Sequence, residues 1–482
     1  MTGKKRSITA NVFFNLLYQV LTILMPLITT PYLSRVIGAE GIGINGYTLS
    51  IVTYFVLFGS LGTAMYGQRE IAKVEDDPDK YSKKFWEILI IRVLTTILSM
   101  ALYYLLFCIN GAHSLYYKIF LIYMIGYSLN ISWFFQGLEQ FDKIVIRNII
   151  VKIISIIAIF ALVKAPTDLW KYIAIFSISE FIGNISLWFY LPRRLTKVKI
   201  SAKDLKYHII PAISLFLPQI AVQIYTVLDK TMVGLITNDM NQVGFYEQAQ
   251  NIAKAAVIII SSVQVVMNSR VANAWAKNDM EEVKECLRKS FEFVWLVGIP
   301  LMLGIIGCAH NIIPWYYGPE FKPVEPLLIA SSFLIIAIGL NGITGVVYLI
   351  HTDQQKKFTT SVILGALVNV LFNFILINII GTIGASIASV IAESFILIYQ
   401  FKYINKTYNI ADIFKSSIKP LIGGLIMFVI IFVYSRFLDP TMINTIKLFV
   451  LGGIVYSLSM YVLKTRMFMD ALNTIVRFVK RK

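Results

Sequence analysis

About fourteen apolar stretches of membrane-spanning length fill nearly all of these 482 residues, near 8–33, 41–66, 86–108, 116–138, 148–165, 171–191, 208–235, 243–267, 291–312, 325–350, 358–379, 384–402, 417–436 and 444–463. A helix needs roughly 20 apolar residues to cross the hydrocarbon. The pattern therefore predicts an all-α integral membrane protein of about 14 transmembrane helices with little mass outside the bilayer. With 57% hydrophobic and only 15% charged residues, the chain lacks the polar side chains for a water-facing surface.

Lys and Arg are retained on the cytoplasmic side of short loops, so the cations orient the chain. The amino terminus, the even-numbered connections and the carboxyl tail, with Lys402 at the edge of its span, hold 32 of the 44 Lys and Arg, whereas the odd-numbered connections hold only Arg35 and Lys322. Both termini are expected in the cytoplasm, and the net charge of +17 follows from topology, without nucleic acid as a partner. The first apolar run is too long for a signal h-region and carries Pro26 and Pro31 without a small-residue cleavage site, so it is expected to stay in the mature protein. Cys108, Cys286 and Cys308 lack metal-ligand spacing, and neither a disulfide framework nor a metal site is expected.

The largest non-spanning pieces, 67–85, 268–290 and the tail from Lys464, are each too short for a domain. Asp77-Pro78-Asp79 matches the paired acids that hold a metal and nucleotide sugar in some glycosyltransferases, or else forms a solvated turn. The tail sets Met467, Phe468, Ala471, Leu472, Ile475, Val476 and Val479 on one helical face beside Arg477, Lys480, Arg481 and Lys482, a pattern for lying along the cytoplasmic membrane surface.

An internal repeat comes next. PYLSRVIGAEGIGINGYTLSI at 31–51 parallels VLDKTMVGLITNDMNQVGFYEQAQNI at 227–252, pairing Arg35 with Lys230 and Gly43 with Gly244. ISEFIGNISLWFYLPRR at 178–194 parallels IAESFILIYQFKYINK at 391–406, pairing Glu180 with Glu393. Spans one to six then repeat as seven to twelve, both beginning in the cytoplasm. This predicts an N-terminal lobe (1–206), a C-terminal lobe (207–416), two added spans (417–463) and the tail (464–482), with the two six-helix lobes pseudo-symmetric about a central cavity.

A charge in hydrocarbon costs at least about 2.5–3.5 kcal/mol unless it meets water or a partner, so ionisable residues within spans are functional candidates. Arg92, Lys118, Lys152, Lys164, Lys171, Lys419, Arg436 and Lys447 lie near span ends and are expected to snorkel. Lys254 lies mid-span on a stripe with Glu247, Gln250 and Asn251, either facing a wet cavity or forming an internal pair with Glu247. Glu180, Glu393, Glu247 and Asp229 are candidates for binding a coupling proton or Na⁺, or for structural hydrogen bonds. Arg35, Lys230 and Lys254 would attract an anionic headgroup, and Asn15, Gln19, Gln219 and Gln223 would bond sugar hydroxyls or join helices. No cofactor is expected beyond a H⁺ or Na⁺ gradient.

TPYLSRVIGAEGIGINGY after span one, YYGPEF at 316–321 and NVLFNFILINIIGTIGASIASVIAE at 369–393, in this order within a fourteen-span frame, resemble the Wzx-type polysaccharide flippases of the multidrug/oligosaccharidyl-lipid/polysaccharide exporter superfamily. The resemblance spans essentially the full length. It implies two lobes forming a V, a bacterial cytoplasmic-membrane location, and translocation of an undecaprenyl-pyrophosphate-linked oligosaccharide to the outer leaflet for capsule or exopolysaccharide, with a polymerase and other assembly proteins as partners. Lipid II is an alternative cargo of the same chemistry.

Two other readings stand beside it. A cation-coupled multidrug exporter would share the architecture, and Glu180, Glu247 and Glu393 would serve it, although span one carries no carboxylate. A membrane-embedded polymerase or glycosyltransferase would need a catalytic constellation, and His113, His208, His310 and His351 are distant in sequence and near span ends.

Overall fold

In lipid every backbone polar group must be satisfied within the chain, and every regular element among the described residues is a helix. The computed structural model describes residues 8–191, 195–196 and 198–480, leaving side chains undescribed at 8–25, 215, 217–222, 224–226, 475 and 478–480. The chain forms two compact units, Met1–Thr231 and Met232–Lys482. The division falls inside the long helix of span seven.

Unit one comprises α1 (Ile8–Ser60), α2 (Thr63–Ala72), α3 (Pro78–Tyr103), α4 (Ser114–Ser128), α5 (Ser132–Gly137), α6 (Phe141–Leu162), α7 (Leu169–Ser186) and most of α8 (Ala202–Thr237). Spans one and two share α1, which breaks at one residue, Gly38, with φ 68° and ψ −179°. That backbone is open essentially to glycine alone. Hydroxyls join α3 to α1: Thr95 Oγ1 donates to Gly59 O at 2.6 Å and Ser99 Oγ to Phe55 O at 2.6 Å. Such bonds let helices associate where lipid supplies no hydrophobic drive.

At the lysine-rich end of unit one, Asp77 caps α3 by accepting from Asp79 N and Lys80 N, so Asp77-Pro78-Asp79 is a helix start. The Lys80 ammonium, hydrogen-bonded to Asp77, holds that carboxyl below its usual range. Ser201 does the same to Asp204 at the start of α8. Beneath them Phe85 stacks on Trp133 with ring centroids 5.6 Å apart and meets Phe134 edge-on at 4.9 Å. Tyr66 OH contacts His208 Nδ1 at 2.6 Å and His208 Nε2 contacts Glu87 Oε2 at 2.8 Å, all three buried.

Unit two comprises the rest of α8, α9 (Met240–Ala276), α10 (Met280–Tyr316), α11 (Val324–Ser332), α12 (Leu334–Asn341), α13 (Gln355–Ile380), α14 (Thr382–Ile404), α15 (Ile410–Lys415), α16 (Ile418–Ser435), α17 (Met442–Val462) and α18 (Arg466–Lys480). Span ten is interrupted at Phe333 and continues past Asn341 as a wide π-turn over Gly342–Ile350. Gly381, φ 66° and ψ −152°, turns α13 directly into α14 as Gly38 turns α1. Spans thirteen and fourteen, α16 and α17, pack on α10. The tail forms the predicted amphipathic helix, α18, against α10 and α17.

Candidate functional site

Span four is broken where the sequence reads Leu129-Asn130-Ile131, between α4 and α5. Asn130 Oδ1 accepts from Ser132 N at 2.9 Å, a local bond that competes with continuing the helix. At the break the Tyr127 carbonyl keeps a turn bond from Asn130 N at 3.2 Å and has a second lone pair to offer. Arg92 adds charged donors: Nη2 and Nε reach Tyr127 O at 2.9 and 3.2 Å, and Cζ sits 4.7 Å from the Tyr127 ring. Trp188 Nε1 donates to Leu129 O at 2.9 Å. A cation at this helix end also meets the negative pole of the helix dipole. Arg92 was expected to snorkel outward, but it turns inward and is 1% exposed.

A second buried guanidinium faces the same break. Arg147 Nη1 donates to Asn184 Oδ1 on α7 at 3.3 Å, and Nη2 donates to Ser132 Oγ on α5 at 3.4 Å. Gly183 leaves the room, since a Cβ there would come within 3.0 Å of Arg147 Nη1. Trp133 lies flat on Gly67, where a Cβ would stand 2.4 Å from the indole. Together these side chains line a cavity of about 450 Å³ with Lys152 and Glu180. Its walls carry three cations, Arg92, Arg147 and Lys152, and one carboxylate, Glu180. Lys152, also expected to snorkel, is a lining residue.

Unit two holds a buried polar seam instead. Gln250 Nε2 donates to Ser331 Oγ at 3.2 Å, and Ser331 Oγ to Ser386 Oγ at 3.0 Å. Asn341 Nδ2 donates to Glu393 Oε2 at 2.6 Å and to Glu393 O at 2.9 Å. Gln400 accepts from Thr344 and donates to Ser361 Oγ at 2.9 Å.

Of the residues singled out from sequence, Glu180 enters the cavity, and Gln250 and Glu393 enter the seam. Asp229 is buried in unit one near Thr231, whose Oγ1 meets Tyr54 OH at 3.1 Å. Arg35 and Lys254 are exposed, Lys230, Glu247 and Asn251 are half-buried, and Gln223 is exposed. Asn251 Nδ2 bonds locally to Gln248 Oε1 at 3.3 Å. Asn15, Gln19 and Gln219 lie outside the described side chains.

Arg147 and Trp133 escaped the sequence reading. Arg147 entered only as one cation of an even-numbered connection, and Trp133 was not singled out. The usable signal was Asn130, whose side chain accepts from both N and Oγ of Ser132, in the middle of an apolar span.

The profile of a family described as "Polysaccharide biosynthesis protein" matches residues 8–267, and one described as "Lipid II flippase MurJ" matches residues 218–452. A protein named "Putative O-antigen transporter" from Escherichia coli (strain K12) is 22% identical over 409 residues, covering 84% of this chain and 98% of the relative. The fold superposes on a solved structure titled "Lipid II flippase MurJ, inward closed conformation" with a TM-score of 0.73 at 18% identity, covering 96% of this chain and all of that one. An inward-facing multidrug resistance MATE family transporter gives 0.62 at 14% identity, covering 82% and 96%. These two likenesses establish the fold.

Proposed function

We propose, on the premise that this chain belongs to the polysaccharide biosynthesis protein family, the Wzx-type members of the multidrug/oligosaccharidyl-lipid/polysaccharide exporter superfamily, that it flips a lipid-linked oligosaccharide across the membrane by alternating access. The protein is a multi-pass membrane transporter, not an enzyme. The observation that carries the reading is that two family profiles, one for polysaccharide biosynthesis and one for a lipid flippase, together run from residue 8 to residue 452.

The cargo in this proposal is an undecaprenyl-pyrophosphate oligosaccharide destined for capsule or exopolysaccharide, moving from the cytoplasmic to the outer leaflet of a bacterial plasma membrane with both protein termini cytoplasmic. Arg35, Lys230 and Lys254 attract the pyrophosphate, Asn15, Gln19, Gln219, Gln223 and Asn251 meet sugar hydroxyls, and a H⁺ or Na⁺ gradient acting at Glu180, Glu247, Glu393 or Asp229 resets the protein. A polymerase then takes up the product. The excess of cations in the unit-one cavity weighs against the second reading, export of organic cations, because that cargo calls for carboxylates.

The test is transport of a labelled undecaprenyl-pyrophosphate oligosaccharide in liposomes holding the protein alone, with wild type beside Lys254→Ala. Protein-dependent flipping that falls in the variant is expected. An absence of flipping with several sugars, under imposed proton and sodium gradients, overturns the assignment.

A further inference from the structure

We infer that the exposed face at the start of α8 is a docking site for an anionic phospholipid, whose phosphate lies among Lys199, Lys203 and Lys206 and whose acyl chain runs along Tyr207 and Ile210. The inference goes beyond the flippase reading and does not rest on it, since a resident lipid of this kind is held whatever the cargo.

The sequence sets the face. Lys203, Lys206, Tyr207 and Ile210 follow the i, i+3, i+4, i+7 spacing of one side of a helix. What turns that side outward is the grip on the opposite one. His208 sits between Tyr66 and Glu87, and Asp204 meets Lys83 Nζ at 3.4 Å, so two residues one turn apart hold α8 against α2 and α3. The four residues of the other side are all exposed, Tyr207 and Ile210 by 70% and 78%.

Charge is the second observation. A cavity of about 490 Å³ between the starts of α3 and α8 is lined by Lys80, Lys83, Lys84 and Lys203. Three of these ammoniums are already matched, Lys80 by Asp77 at 2.9 Å, Lys83 by Asp204 and Lys84 by Glu70. Lys203 is not, and neither are Lys199 and Lys206: none of the three has an ion-pair partner among the described residues. The one carboxylate between 199 and 206, Asp204, is spent on Lys83 and on Ser201 Oγ at 2.8 Å. Exposed, unmatched lysines clustered at the end of a span attract anionic headgroups.

The third observation is the order of polarity. Along α8 the exposed side passes from ammonium at 203 and 206 to a phenol at 207 and an aliphatic chain at 210, over a rise of about 10 Å. A bilayer changes in the same order, from headgroup through interface to hydrocarbon, and tyrosine is favoured at the middle level. The end of span six adds Phe189 and Tyr190, 85% and 47% exposed. A free phosphate ion would match the lysines and leave Tyr207 and Ile210 uncovered, whereas a phospholipid covers both.

The test titrates phosphatidylglycerol or phosphatidylcholine into detergent micelles of the full chain at constant ionic strength. The thermal midpoint is the readout, because a ligand that binds only the folded state raises it by mass action. A saturable rise with phosphatidylglycerol, and none with phosphatidylcholine or inorganic phosphate, is expected. Lys203→Gln and Lys206→Gln should each raise the half-saturating lipid concentration about fivefold, the scale of one lysine at an anionic surface. Ile210→Asn should raise it severalfold, whereas Lys356→Gln, at an exposed lysine of unit two, should leave it within about twofold.

Equal responses to the two lipids, or equal half-saturation in wild type and both lysine variants of α8, overturns the proposal. Should the variants fail to fold, phosphatidylglycerol with a photoreactive acyl chain is cross-linked to wild type. Adducts concentrated at 207–214 support the site, and adducts spread evenly over the exposed faces of the spans refute it. Displacement of phosphatidylglycerol by equimolar undecaprenyl pyrophosphate would give the face to a cargo headgroup and also overturn the proposal.

Discussion

Arg147 on α6 and Asn184 on α7 meet at 3.3 Å over a glycine, Gly183, whose missing side chain is the space the guanidinium occupies. The contact binds spans five and six through charge and leaves Arg147 facing the break in span four.

Replacing Arg147 with Met should strip Asn184 and Ser132 of their donor and cost about 1–3 kcal/mol, the penalty of leaving a buried polar group unsatisfied. Gly183→Val should mimic it by displacing the guanidinium. Thermal unfolding in detergent checks both. Equal stability of wild type and Arg147→Met would mean that the two hydrogen bonds contribute nothing.

Gly67→Ala should push Trp133 off its seat, since the new methyl would stand 2.4 Å from the ring. Overpacking of this kind costs about 1–3 kcal/mol. The accompanying sign is altered indole fluorescence that vanishes in Gly67→Ala combined with Trp133→Phe only if Trp133 is the ring displaced.

At Gly381 a methyl would meet open space, so any cost of Gly381→Ala reports backbone conformation alone. With φ 66° and ψ −152° the expected loss is about 1–3 kcal/mol. Gly453 is the control, also open but within α17, where alanine should gain roughly 0.5–1 kcal/mol. Opposite shifts of the two midpoints are the expected outcome.

His208→Ala should leave Glu87 Oε2 buried without its imidazole, with only Lys83 Nζ at 3.6 Å from Oε1, and cost about 1–3 kcal/mol. Adding Glu87→Gln should recover part of that loss, because an amide is cheaper to bury than a carboxylate short of one partner. A double variant as unstable as the sum of the singles would show that the two residues do not act as a pair.

Glu393→Gln keeps an acceptor for Asn341 Nδ2 and should be close to neutral for stability, whereas Glu393→Ala should cost about 1–3 kcal/mol. Comparing both variants in folding and in transport separates a structural hydrogen bond from a titrating coupling group.

The apolar runs, the amphipathic tail at Arg466–Lys480 and the kinship carried by the 30–47 and 369–393 segments were legible because each is local. Hydropathy adds along the chain, and a helix in lipid follows wherever enough of it accumulates. The single-residue turns at Gly38 and Gly381 were written in the glycines, though their geometry was not. Burial was different, because whether Arg92 or Lys152 snorkels depends on what stands beside it. Arg92 turned inward because α4 ends beside it and the Tyr127 carbonyl at that end accepts its guanidinium, while Arg147 did so because Gly183 and Asn184 arrived from another span. His208, Tyr66 and Glu87 are separated by up to 142 residues and meet only after the chain has packed. Composition and periodicity set which segments enter the membrane; the pairing of helix faces, which no spacing within one helix encodes, decided where the buried charges gather.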